Sequence, residues 1–198
     1  MKPTKSLVAS LVFLVILLGI YIAHVAFFRV NVVLYSSILD GCLAVTITGG
    51  LLFGLKYFNV LNTFEKLQLT VIWLLASYAF AISVPTVIDR SLSFYILEKI
   101  QQRGGGIKYA QFNDVFTKEY VKEHRLVDAR LTEQLESGTI TIVNGCVKIT
   151  DRGERLAAFS RFFRKNFLPK QRLLMGEYSK DLTDPFKNSV KAADYECQ

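Results

Sequence analysis

The sequence predicts a bundle of three transmembrane helices followed by a small soluble α+β domain. Three observations carry this. Long apolar runs fill the first 88 residues of a 198-residue chain that is 51% hydrophobic. Charge is concentrated behind them: before Ile88 only Lys2, Lys5, Arg29, Asp40, Lys56, Glu65 and Lys66 are charged. Near the middle of the polar part, Asn144-Gly145 joins two β-rich runs. That dipeptide is the strongest short hairpin signal, because a type I′ turn needs φ > 0 at both central residues. The charge asymmetry separates a lipid-soluble part from a water-exposed one.

The membrane region is assigned to residues 1–88, with helices at about 7–28, 32–55 and 67–88. The run from Leu7 to Phe28 is long enough for ~30 Å of hydrocarbon. Lys2 and Lys5 also fit the n-region of a secretory signal. The apolar run exceeds a typical h-region, however, and no clean A-x-A site follows, so it reads as an uncleaved span. The second run carries Gly41, Gly49, Gly50 and Gly54, small residues that let helices approach closely in lipid. The third runs from Leu67 to Ile88, and Pro85 is expected to kink its last turn.

Three spans put the chain termini on opposite sides. Arg29, Arg90, Lys99 and Arg103 flank the spans on the side of the soluble domain. Lys2, Lys5, Lys56 and Lys66 flank them on the other side, so the positive-inside count is nearly tied. The three cysteines, Cys42, Cys146 and Cys197, show no paired framework of the secreted kind. A cytoplasmic soluble domain at a bacterial inner membrane is therefore expected.

Two ionisable residues lie at membrane depth. His24 is about one turn from the end of the first span, and Asp40 is near the start of the second. Such groups are costly in lipid and usually face a bundle interior. A contact between them is geometrically possible and would make a proton or ligand site. The plainer reading has Asp40 solvated at the interface and His24 reaching outward.

The soluble domain is assigned to 89–170. Ser91 can N-cap a helix whose Leu92, Tyr95, Ile96 and Ile100 share one face, and Gly104-Gly105-Gly106 ends it. Ile107 to Tyr109 fits a short strand. The next helix buries Phe112, Val115, Phe116 and Tyr120, and a turn at Lys122-Glu123-His124 leads to a third helix, Arg125 to Glu136. Gly138 suits the left-handed position beyond a helix C-terminus. After the hairpin, Thr150 or Asp151 can cap a last helix, with Glu154 placed for a capping box. Helix, strand, helix, helix, hairpin, helix is the order of a winged helix-turn-helix domain. Val147-Lys148-Ile149-Thr150-Asp151-Arg152-Gly153 resembles the L-T-x-x-G segment that follows the wing in many bacterial members, with Ile149 in place of leucine. The resemblance covers about two fifths of the chain, roughly 91–167.

The resemblance implies DNA binding first, through the third helix. With Leu126, Val127, Leu131 and Leu135 packed inward, its outer face offers Arg125, Asp128, Arg130, Thr132, Glu133 and Glu136. Phosphate contact dominates DNA affinity, and acids here match or outnumber bases. The hairpin adds only Lys148. If nucleic acid were bound, Arg125, Arg130 and Lys148 would be the contacts. The net charge of +7 gathers elsewhere, on Arg152, Arg155, Arg161, Arg164, Lys165, Lys170 and Arg172, offset by Glu154. On a helical wheel Leu156, Phe159, Phe163 and Phe167 share one face, and Phe162 lies off it. Arg155, Arg161, Phe162, Arg164, Lys165, Lys170 and Arg172 therefore suit an anionic bilayer surface or an acidic partner. The alternative is a helix packed on its domain with a solvated basic face.

No catalytic constellation is present in the sequence. Gly104-Gly105-Gly106 lacks the lysine and preceding strand of a phosphate loop, and neither His24 nor His124 has metal-ligand spacing. No cofactor is expected. Residues 171–198 form a polar tail. The reading is a non-catalytic membrane accessory or scaffolding protein that presents its winged-helix domain to another membrane protein or membrane-associated complex. A membrane-bound transcription regulator is the alternative. A small transport or lipid-handling subunit using His24 and Asp40 is the weaker one.

Overall fold

A computed structural model describes residues 2–182, 185 and 186. It is mostly helical. Its contacts divide the chain between Leu126 and Val127 into two compact units.

The first unit is built on three helices long and apolar enough to cross a membrane. Helix α1 is Lys2–Phe27, α2 is Val33–Gly54 and α3 is Thr63–Ala81, continued through Ile82–Thr86 and Val87–Arg90. These bounds agree with the three expected spans. Helix α2 packs against both α1 and α3. The core between them holds Phe13, Leu17, Ala44, Leu52 and Trp73. Phe13 and Trp73 stack with centroids 5.4 Å apart, a pairing that contributes about 1 kcal/mol beyond area burial. The Trp73 indole N–H donates to Ser10 Oγ at 3.1 Å, so its one polar atom is satisfied inside the bundle. Leu11, Val15, Ile22, Leu39, Ile72 and Leu75 point outward, as a lipid-facing surface requires.

Polar contacts fix the bundle end opposite the α1–α2 turn. Asn62 caps α3 in a capping box with Glu65, and Glu65 also accepts from Lys2 Nζ at 2.8 Å. Of the four glycines expected at helix contacts, only Gly41 is at one: a Cβ there would sit 2.7 Å from Ser77 Cβ. Gly49, Gly50 and Gly54 have no atom near their Cβ positions, so that part of the expectation is corrected. Pro85 lies in a wide π turn, Ile82–Thr86. Proline has no N–H for the carbonyl four residues back. Thr86 Oγ1 donates to that carbonyl, Ala81 O, at 2.8 Å.

Beyond Arg90, α4 (Leu92–Gln102) is capped by Ser91, whose Oγ accepts from Phe94 N–H. Helix α5 covers 112–123 as Phe112–Asp114, a π turn Val115–Tyr120, and Val121–Glu123. Tyr95, Val115 and Tyr120 form a small core with Ile107, Phe116 and Leu126 around it. Leu92 is exposed rather than part of that face. The strand expected at Ile107 to Tyr109 is absent: 107 and 108 are irregular, and Tyr109 opens a 3-10 turn. Three glycines precede it, two with positive φ, and they leave no extended run.

The second unit holds most of α6 (Leu126–Glu136), β1 (Ile140–Val143), β2 (Cys146–Ile149), α7 (Asp151–Phe167), β3 (Arg172–Leu174) and β4 (Glu177–Ser179). β1 and β2 pair antiparallel with Val143 opposite Cys146. Asn144 has φ +53 and Gly145 φ +75, the double positive φ of a type I′ turn. Gly138, at φ +67, ends α6; Thr139 N–H reaches back to Gln134 O and Gly138 N–H to Leu135 O, a Schellman pattern. Thr150 caps α7 by accepting from Gly153 N–H at 3.2 Å, and its hydroxyl donates to Gly138 O at 2.8 Å. With Thr150 as the cap, the third helical position is Gly153, so Glu154 falls one residue too late for the expected capping box. Gly153 itself is required by proximity: a Cβ there would lie 2.2 Å from Thr139 O.

Two further expectations change. The tail carries a second antiparallel hairpin, β3–β4, turned at Met175 (φ +49) and Gly176 (φ +95). Cys146 is disulfide-bonded and Cys42 is a free thiol, while Cys197 lies outside the described residues. The cysteines are therefore not an unpaired set, and that support for a reducing compartment is withdrawn.

Candidate functional site

His24 and Asp40 meet. They sit on neighbouring helices, one turn before the end of α1 and two turns into α2. Asp40 Oδ1 lies 2.5 Å from His24 Nδ1. Asp40 is 1% exposed, so the solvated-interface reading of this residue does not hold. Its second oxygen, Oδ2, is buried without a hydrogen-bond partner among the described residues. Phe28 meets the His24 ring edge to face at 5.7 Å. Ser37, one turn from Asp40, donates its hydroxyl to Val33 O at 2.8 Å and leaves Asp40 alone. A cavity of about 280 Å³ opens beside Asp40, lined by Tyr21, Phe28, Val33, Ser36 and Ser37 among others.

The basic residues of the C-terminal half occupy a different surface. Helix α7 buries only Gly153. Phe159 and Phe167 are 61% and 64% exposed, and Leu156, Phe162 and Phe163 are exposed as well. Phe159, Phe163 and Phe167 stack along the helix with centroids 6.0 and 5.3 Å apart. The apolar stripe thus forms an open aromatic ridge, not a face packed within its own unit. Phe162 leans on Phe167 at 5.7 Å. Arg155, Arg161, Lys165, Lys170 and Arg172 are exposed and Arg164 is half-buried. Arg164 and Arg172 flank a groove of about 550 Å³ whose floor includes Leu156, Phe159, Phe163 and Leu182.

The three residues assigned to nucleic acid are dispersed in role. Arg125 is exposed at φ +43 between α5 and α6. Arg130 Nη1 donates to Glu133 Oε2 at 2.9 Å, so a phosphate would have to displace a carboxylate. Lys148 projects from β2, opposite Thr141. Val127 and Leu135, assigned to the interior, are exposed, so the inward and outward faces of α6 are not the ones the wheel assigned.

One polar cluster escaped the sequence reading. Lys99 on α4 is buried and binds two carboxylates, Glu119 Oε2 at 2.8 Å and Glu123 Oε1 at 2.6 Å. Tyr95 donates its hydroxyl to Glu123 Oε2 at 2.8 Å, and Arg103 bonds Glu119 at 3.0 Å. The hydrogen bond that Lys99 donates to Glu119, then the one it donates to Glu123, pushes its ammonium above its ordinary range. Lys99 in turn holds both carboxyls below theirs. Burial, and then the Glu123 bond, pushes the Tyr95 phenol up. The partners lie 20 and 24 positions apart, so no local pattern flagged them. All four charges are paired, and the cluster braces α4 against α5.

No protein-family model, curated protein sequence or solved structure matches this chain.

Proposed function

We propose that this chain is a non-catalytic accessory or scaffolding subunit of a bacterial inner membrane. Its three apolar helices lie in the bilayer, and the winged-helix-like segment behind them, on the cytoplasmic face, holds another membrane protein or membrane-associated complex. The observation that carries this is the aromatic ridge of α7, bare along Phe159, Phe163 and Phe167 and flanked at helical spacing by Arg155 and Arg164, with Arg161 and Lys165 roughly opposite. Contiguous exposed apolar surface rimmed by charge marks an interaction site. Its complement is an apolar strip flanked by carboxylates. Nucleic acid is disfavoured, because Glu133 already holds Arg130 and phosphate recognition needs uncommitted bases.

A photo-crosslinking residue placed at Phe159 or Phe163 in growing cells is expected to capture one membrane protein. The double change Arg155→Glu, Arg164→Glu is expected to abolish that capture. Crosslinks to lipid alone would overturn the reading. Salt-dependent binding of a DNA duplex by the purified full chain would replace it with a membrane-bound transcription regulator. Sidedness needs its own measurement, because a disulfide at Cys146 belongs more often to an oxidising compartment. Alkaline phosphatase fused at the C-terminus is expected to be inactive, and activity would place the segment outside.

A further inference from the structure

The bundle end opposite the α1–α2 turn holds a cavity of about 300 Å³, several times the ~30 Å³ that one water occupies in the liquid. Val8, Ala9 and Val12 of α1 and Leu51, Leu52 and Leu55 at the end of α2 wall it, beside Tyr57 and Phe58 of the 3-10 turn that follows. Thr48 also lines it, but its hydroxyl oxygen is sealed. The wall therefore offers a guest hydrocarbon and little else, and a dry apolar cavity is no place for ordered water. Leu51 and Leu55 are exposed, so the cavity opens on the outer surface of the bundle.

The charge beside it is positive and unbalanced. Lys2 is paired with Glu65 at 2.8 Å. Lys5 and Lys56 bond no carboxylate among the described residues. Lys56 is exposed and stands between the lining residues Leu55 and Tyr57. Lys5 Nζ lies over the Tyr57 ring, 2.9 Å from its centroid, and so is held at a wall of the cavity. An aromatic face attracts an ammonium without neutralising it, which leaves the charge for an anion. Lys66 is buried over Phe53 and is not offered to a ligand. An apolar slot with ammonium groups at its edge is complementary to an amphiphile that carries a negative head on a hydrocarbon chain. Helix α1 rises about 10 Å from Lys5 to Val12. If the helices span a bilayer, the lysines sit at headgroup level and the cavity just inside the hydrocarbon.

We propose that this cavity holds one acyl chain of an acidic phospholipid, with the lipid phosphate on Lys5 and Lys56. The inference rests on the three helices lying in lipid.

The test uses the full chain extracted from membranes into mixed micelles of phosphatidylglycerol and phosphatidylcholine with the same acyl chains, read by native mass spectrometry. Retention of one phosphatidylglycerol over phosphatidylcholine is expected by roughly thirtyfold, the factor for two bases at about 1 kcal/mol each. Lys5→Gln should lower that ratio about fivefold, and Lys5→Gln with Lys56→Gln should bring it to parity. Val12→Trp fills the cavity and leaves every lysine in place, so it separates a slot from simple attraction to a basic bundle end, and it should erase the preference. Leu51→Trp, at the exposed rim, covers the case in which the Val12 variant does not assemble, and should act in the same way. Equal retention of both lipids, a preference that survives the tryptophan variants, or one that survives the double lysine variant overturns the proposal. A chain that does not partition into membranes at all would overturn the bilayer reading beneath it, and the proposal with it.

Discussion

Individual side chains in this protein are placed by proximity more than by type. Gly153 is the sharpest case. Its missing Cβ makes room for Thr139 O, and Ile149 Cγ1 would lie 2.7 Å from that Cβ. Gly153→Ala is expected to cost about 1–3 kcal/mol, the usual penalty for an overpacked site. Hydrogen exchange of the β1–β2 amides, which should speed up, checks it. The Lys99 cluster makes a second prediction at this scale. Glu119 and Glu123 have pKa values lowered from 4.5 by Lys99. A carboxyl with a depressed folded pKa contributes stability above its unfolded value, and that contribution is lost as pH falls through the folded one. Thermal unfolding of the full chain should therefore hold through neutrality and weaken below about pH 4.3. Glu119→Gln with Glu123→Gln should flatten that acid limb. If the limb stays equally steep in the double variant, Lys99 is not the cause of the depressed values. Asp40 and Lys99 show why legibility was uneven here. The depth of Asp40 could be read from a hydropathy run and its neighbour inferred from helix counting. Lys99 reads from sequence only as a charge flanking the spans, and nothing local links it to carboxylates 20 and 24 positions on, on the next helix.

Among the elements, those specified by short-range chemistry were legible. Asn144-Gly145 has only one comfortable way to turn between β-rich runs, and Gly138 only one comfortable place beyond a helix. The β3–β4 hairpin was not legible, because Met175 adopts positive φ in a position where sequence offers asparagine as the usual sign. The strand expected at 107–109 failed for the converse reason: β-compatible residues stand behind glycines that do not hold them extended. The wheel for α6 also misled, since Val127 and Leu135 keep helical spacing without being buried. The π turn in α3 makes the element-scale prediction. Thr86→Val should cost about 1 kcal/mol by removing the donor to Ala81 O. In the background of Pro85→Ala, where an amide N–H is restored, the same change should cost much less. Unfolding free energies of the four proteins, combined as a double-mutant cycle, would show the coupling; additive costs would mean that the hydroxyl is not replacing the amide.

For the whole molecule, the division between Leu126 and Val127 is the main feature not visible in composition, which changes at Ile88. The charge boundary marks where the chain leaves lipid. The contact boundary falls after Leu126, and Tyr95, Val115 and Tyr120, with Leu126 packed on them, hold 92–126 around one small core of its own. Arg125, exposed at φ +43 beside that boundary, is the expected first site of tryptic cleavage in the detergent-solubilised chain. Two stable fragments meeting near residue 126 should appear on mass analysis. Early cleavage within 92–123 instead would mean that the Lys99 cluster does not hold α4 and α5 together.

The wide turn at Ile82–Thr86 sets the azimuth of everything downstream on α3. An α-helix advances about 100° per residue, and a π turn holds one residue more than a regular one. Winding the same residues as a regular α-helix, with none removed, would swing Asp89 and Arg90 by roughly that angle around the axis. The proline and its threonine neighbour thus act as an indexing notch, fixing which compass direction the chain takes as it leaves the bundle.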